Sequence, residues 1–192
     1  MAGQIQETGR ALTKGVEKTE QVMAALNEIA KGIVDVGGND EVPEGWVRSE
    51  LGDVITVSSG NGLTKSKMIE GNIPVYGGNG VTGWHNVPNI EEKTIVIGRV
   101  GFYCGSVHVT PNNAWVTDNA FITKYSKDNI SQDFLYRLLV STDLRQNDSG
   151  SAQPVISGSK LYPINILIPP LAEQTVIAQT LDTLLAQVDN IK

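Results

Sequence analysis

The residues with a claim to chemistry are few, and the glycines come first. Gly78, Gly80 and Gly83 in "YGGNGVTG" have the spacing of a dinucleotide-binding loop. Such a loop works only between a strand and a helix, where backbone N–H groups and the helix dipole converge on a phosphate. Here the glycines run into "WHNVPNIEEKTIVIG", with Pro88 and a β-rich run in place of an amphipathic helix. No glycine is followed directly by the lysine–serine or lysine–threonine pair of a Walker loop. The stretch "GNIPVYGGNGVTGW", residues 71–84, therefore reads as turn chemistry. Asn79-Gly80 is expected to form a tight corner, since both residues tolerate positive φ.

Nucleophiles and acid–base groups fare no better. His85 and His108 are the only histidines, and neither stands in a serine or cysteine constellation. Cys104, in a β-rich run, reads as a small core residue. Asp118 in "WVTDNAF" reads as a turn or hydrogen-bond acceptor more readily than as a catalytic carboxylate. Glu91 and Glu92 have no histidine or lysine at motif spacing and mark a solvated face. There is no cysteine–histidine cluster with zinc-ligand spacing. These patterns predict a protein that is not an enzyme and binds no cofactor or metal.

The bulk numbers narrow the class. The 192 residues are 40% hydrophobic and 19% charged, an ordinary globular composition. No run is long and apolar enough to span a membrane, the start has no secretory pattern, and the lone cysteine points to a reducing cytoplasm. The formal net charge is −6, whereas a chain that binds nucleic acid unaided usually carries a basic surplus. Either nucleic acid is not the partner, or a local basic face is offset elsewhere, or other subunits grip the phosphates.

Three regions must position whatever function exists. Residues 1–38 read as a helical segment, with Leu12, Val16, Met23, Leu26 and Ile33 stepping by three, four and seven along a coiled-coil-like seam. That seam serves either a partner helix or packing on the chain's own domain. Residues 43–170 carry short β-rich runs punctuated by Gly, Asn and Pro, with one helix expected at "SQDFLYRLLVSTDL". There Phe134, Leu135, Leu138 and Leu139 share a face. From residue 171 a second helix is expected after the double proline, with Ile177, Leu181, Leu184 and Val188 as its seam. The fold class is α+β: one irregular β-rich domain bracketed by coiled-coil-like helices.

Seven blocks, in order, carry a family resemblance. They are "PEGWVRSELGDV", "GNIPVYGGNGVTGW", "TIVIGRVGFYCGSV", "WVTDNAF", "FLYRLL", "GSAQPVISGSKL" and "INILIPPLAEQTVIAQTLDTLLAQVD". Together they resemble one target-recognition half of a type I restriction–modification specificity subunit, in which the leucine–glycine–aspartate of the first block is expected as a strand. A complete subunit of that family has two such domains separated by long helices, so this chain looks like a half-subunit or a fragment. A half-subunit could pair with itself through its helices and read an inverted repeat.

The resemblance implies a non-catalytic subunit that reads one half of a split double-stranded DNA sequence. DNA adenine methyltransferase subunits, which bind S-adenosylmethionine, and restriction endonuclease subunits would be its partners. It also directs attention to polar loop residues able to address bases. Arg99 in "IGRVG" is the first choice for guanine or phosphate, with a structural arginine paired to Asp118 as the alternative. Lys65 and Lys67 would track phosphate or simply face solvent. Asn79 would read adenine or serve its turn. Arg145, Gln146, Ser151 and Gln153 share the polar loop "LRQNDSGSAQPVIS". Trp84, His85 and Trp115 are expected to pack the domain. The competing reading is an assembly module with no DNA affinity of its own.

Overall fold

A strand whose alternate residues fill two different cores explains the layering. A computed structural model of the chain describes residues 42–147 and 154–189. Strand β5 (Ile95–Gly98) is buried on both faces. Ile95 and Ile97 point into the main apolar cluster, whereas Val96 points into a second cluster with Tyr76, Ala114, Val116 and Ala120. Side chains alternate across a strand, so an unbroken apolar run such as "IVI" belongs in the middle layer of three.

Three small sheets make up the β structure. The largest has the order β2 (Ile55–Ser59), β8 (Ala120–Tyr125), β5 and β6 (Val107–Val109), with each neighbouring pair antiparallel. On one face it meets α2 (Gln132–Ser141), whose Phe134, Leu135, Leu138 and Leu139 are all buried. Ser131 caps this helix by accepting a bond from the Phe134 N–H. On the other face lies the second sheet, β4 (Gly80–His85), β3 (Ile73–Gly77) and β7 (Trp115–Val116). The third sheet joins the first and last strands: β1 (Val47–Glu50) pairs antiparallel with β9 (Asn165–Ile168).

Behind β9 the chain enters α4 (Leu171–Asp189) through Pro169 and Pro170. Gln174 is fully buried. Its Oε1 accepts from the Ser131 N–H at 2.8 Å, and its Nε2 donates to the Asn129 and Pro169 carbonyls, both at 3.0 Å. The first turn of α4 is thereby fastened to the start of α2, and Arg137 pairs with Asp182 one layer further out. Ile177, Leu181 and Leu184 are half-buried on this helix, while Val176 and Leu185 face outward.

One expectation needs correction. Leu51–Val54, expected as a strand, forms a single helical turn, α1. The Asp53 carboxylate accepts from the Glu50 N–H and the Ser49 hydroxyl, which favours a turn over an extended run. Its Gly52 backs so closely onto Tyr162 that a Cβ would stand 2.7 Å from the Tyr162 Cβ. A second turn, α3 (Gly158–Leu161), precedes β9. The N-terminal seam of Leu12, Val16, Met23, Leu26 and Ile33 lies outside the described residues, as do Ser151 and Gln153.

Candidate nucleic-acid interface

One pole of the domain collects the ends of six strands. β2 ends there at Ser59, β3 at Gly77, β5 at Gly98 and β7 at Val116, while β4 and β8 begin there at Gly80 and Ala120. Backbone bonds lash the loops together. The Gly60 N–H donates to Ala120, the Asn61 N–H to Val116, and the Arg99 N–H to the Asn119 carbonyl, at 3.0–3.2 Å. The Ser106 hydroxyl reaches the Gly78 carbonyl at 2.5 Å.

The glycine-rich stretch is a hairpin, as its turn chemistry requires. Gly78 and Asn79 form the turn between β3 and β4. The positive φ falls on Gly80 (81°) and not on Asn79, the pattern of a turn closed by a left-handed glycine. Close approach sets a second demand at Gly98, where a Cβ would meet the Gly78 carbonyl oxygen at 2.2 Å and that of Tyr103 at 2.8 Å. The glycines therefore form a hairpin and press one loop against another, with no helix following as a phosphate loop requires.

Arg99 leaves the end of β5 into the middle of this pole. Its Nη1 donates to the Ser59 hydroxyl at 3.0 Å and to the Asp118 carbonyl at 3.4 Å. Its guanidinium lies 5.0 Å from the centre of the Phe121 ring. The structural alternative weighed from sequence is corrected in detail: the bond to Asp118 runs to the backbone carbonyl, not to the carboxylate. Nη2 carries neither bond, so among the described residues part of the donor fork is uncommitted. The Asp118 carboxylate instead faces Gly62 from an exposed position, as befits a turn residue.

The other sequence-predicted residues divide. Asn79 is exposed at the hairpin tip, which Ser106 ties to the Arg99 loop. Arg145 is exposed, and its stem lies 3.4 Å from where a Gly105 Cβ would sit, beside the same loop. Lys65 and Lys67 occupy an exposed 3₁₀ turn on the flank. That flank is fixed by Met68 against Gly83 and by the Ile69 N–H donating to His85 Nδ1 at 3.0 Å. Gln146 donates its amide to the Asp143 carbonyl at 3.0 Å, closing the turn after α2.

Sequence reasoning missed several participants. Ser59 positions Arg99, yet a serine at a strand end gives no signal. Phe102 and Tyr103 stand exposed in the loop that Arg99 opens. Trp84, expected inside, is 56% exposed because β4 is an edge strand with an outward face. His85 and Trp115 do pack, with rings perpendicular at 5.2 Å. Glu92, read as merely solvated, pairs with Lys127 at 2.9 Å, and this neighbour holds its carboxyl below the usual carboxylate range. Cys104 is buried as expected, in a turn. Burial pushes the His108 imidazolium pKa down; its ring lies against Gly80.

Elsewhere chemistry is sparse. A cavity of about 560 Å³ at the opposite strand ends is lined by Glu92, Lys93, Tyr125, Lys127, Ser131 and Gln132. Among the described residues no three His, Cys, Asp or Glu side chains are grouped to hold a metal ion, and no helix is long and apolar enough to cross a membrane. Residues 43–192 match the family model of the type I restriction modification DNA specificity domain. The chain belongs to that family.

Similarity to individual type I specificity proteins extends over most of the chain. The specificity subunit of the type I restriction enzyme EcoprrI from Escherichia coli is 28% identical over 140 residues, covering 70% of this chain and 35% of that protein. The EcoDI specificity subunit, also from Escherichia coli, is 28% identical over 162 residues, or 79% of this chain and 34% of that protein. The HsdS subunit from Thermoanaerobacter tengcongensis superposes with a TM-score of 0.74 at 21% identity, covering all of this chain and 50% of the other. The chain thus spans about a third of these curated relatives and half of that solved structure, whose type I specificity fold it shares.

Proposed function

We propose that this chain reads part of a double-stranded DNA target for a type I restriction–modification complex, and that it performs no chemistry itself. The single observation that supports this most is the lashed pole, where Arg99, Asn79 and Arg145 emerge from one cluster of loops in a DNA specificity domain. Loops braced on a rigid scaffold suit base reading, because little order is lost on contact. Arg99 offers a fork for guanine or phosphate, Asn79 an amide for adenine, and Lys65, Lys67 and Arg145 offer charge for backbone phosphates.

Residues 43–170 form the reading unit in this proposal. Residues 1–38 and 171–192 supply helices that dock DNA adenine methyltransferase subunits, with restriction endonuclease subunits joining for cleavage in the cytoplasm. A net charge of −6 fits a chain that relies on those partners for phosphate grip. The same helices would let two copies pair and read an inverted repeat.

Methylome sequencing of a host carrying the intact system tests this reading. A split motif methylated on adenine is expected, and its disappearance when this chain is deleted. The charge balance also favours a second reading, an assembly module without DNA affinity. Methylation that persists at unselected sequences would favour that reading instead.

A further inference from the structure

The turn between β5 and β6 carries an aromatic pair that the polar site does not use. Phe102 is 85% exposed and Tyr103 52% exposed, and their rings meet edge to face at 5.2 Å. A single exposed apolar side chain is ordinary on a protein surface. This one stands on a braced support. The Cys104 N–H donates to the Gly101 carbonyl and the Ser106 N–H to that of Tyr103, both at 3.0 Å. The Gly105 N–H donates to Gly98 at 2.8 Å, and the Gly101 N–H reaches across to Pro154 at 3.0 Å. Gly101 and Gly105 adopt φ values of 80° and 90°, which the tight path between them requires. Buried Cys104 anchors the turn from below.

The ring therefore projects from a fixed backbone just after Arg99, and next to the Ser106 hydroxyl that grips the Asn79 hairpin. Val155, bridged to Val100 and 38% exposed, continues the apolar surface beside it. Polar groups that suit donors and acceptors on base edges surround one apolar projection.

Resting on the reading of this pole as a DNA-reading surface, we propose that Phe102 is a specificity-determining residue that packs on the 5-methyl group of a thymine in the major groove. That methyl is the one apolar feature base edges present there. Wedging the ring between base pairs would also bury it, but only by breaking a stack, whereas the methyl contact asks no distortion of the duplex. Tyr103 braces the ring edge-on, so little side-chain freedom remains to be lost.

The test uses the full chain assembled with its methyltransferase partner, on the target that methylome sequencing defines. Each thymine of the half-site is replaced in turn by uracil, which differs only in lacking the methyl. One position is expected to bind about fourfold more weakly, the factor for one buried methyl-sized group. Phe102→Ala is expected to weaken the thymine site by at least that factor and to be indifferent to uracil there. Thermal unfolding of Phe102→Ala should match wild type, since the ring is nearly free of the core. The proposal is overturned if a sequence-selected half-site lacks thymine, or if uracil is tolerated at every position. It is also overturned if 2-aminopurine beside the site brightens on binding wild type but not Phe102→Ala, which would report a wedge. A complex with no sequence preference at all would instead undo the underlying reading of the chain.

Discussion

The indole Nε1 of Trp46 donates a 2.9 Å hydrogen bond to the Glu173 carboxylate, 127 positions further along the chain. It joins the entry "PEGW" to the close "IPPLAEQ", alongside Gly45 against Pro170 and the pairing of Val47 with Ile168. The entry to the domain and the start of α4 therefore lie side by side.

The stronger fastening is one residue on. Gln174→Leu would leave the Ser131 N–H and the Asn129 and Pro169 carbonyls without this partner, the first two in part-buried and the last in buried surroundings. An unsatisfied buried group costs about 1–3 kcal/mol, so a loss of about 2–4 kcal/mol is expected in urea unfolding. Trp46→Phe keeps an aromatic ring, trims the indole and forfeits one exposed bond, for about 0.5–1.5 kcal/mol. If the two variants unfold alike, the fastening role of Gln174 is wrong.

Gly98→Ala tests whether loop approach shapes the pole. The added Cβ would lie 2.2 Å from the Gly78 carbonyl oxygen, so the hairpin must shift. Overpacking of this kind costs about 1–3 kcal/mol of stability, and sequence preference in the assembled complex should degrade with it. Gly62→Ala is the control, because its nearest neighbour would be the Asp118 carboxylate at 3.7 Å. It should leave both stability and preference unchanged.

Arg99 is expected to serve two tasks, and two substitutions separate them. Arg99→Ala removes a reading group and should weaken binding of the cognate site by about 1–3 kcal/mol, measured with the methyltransferase present. Ser59→Ala keeps the guanidinium and removes its 3.0 Å acceptor, together with the long 3.5 Å bond from that hydroxyl to the Asp118 carbonyl. A smaller loss of affinity, with the same base preference, is expected from it. Equal binding by Arg99→Ala and wild type would reduce Arg99 to a structural strut.

How much of this was legible in the sequence depended on range. The α2 helix was, because Phe134, Leu135, Leu138 and Leu139 repeat at the helical period and Ser131 sits at its cap. The double proline marked the start of α4, and glycine chemistry marked the β3–β4 hairpin. Leu51–Val54 was not legible: four residues carry no period, and the Asp53 cap resembles any loop aspartate. The functional pole was half visible. Residue type singled out Arg99, but the Ser59 and Asp118 contacts that aim it come from 40 and 19 positions away. Trp84 was expected inside, and only the edge position of β4 puts it in water.

His108 contributes to the pH response of the fold. Burial disfavours its imidazolium, so in the folded chain it takes up a proton at lower pH than the ordinary value of 6.5. Its buried Nε2 meets no hydrogen-bond partner among the described residues, and the ring supports Gly80 at the base of the hairpin. Below about pH 6.5 the unfolded chain therefore binds more protons than the folded one, and stability falls as pH drops through that window. Above it the residue is neutral in both states and contributes no slope. Melting temperatures at pH 7.5 and 5.5 should differ more for wild type than for His108→Gln, which cannot titrate. An identical acid limb in the two proteins would show that His108 is as easily protonated folded as unfolded, and that the hairpin rests on something else.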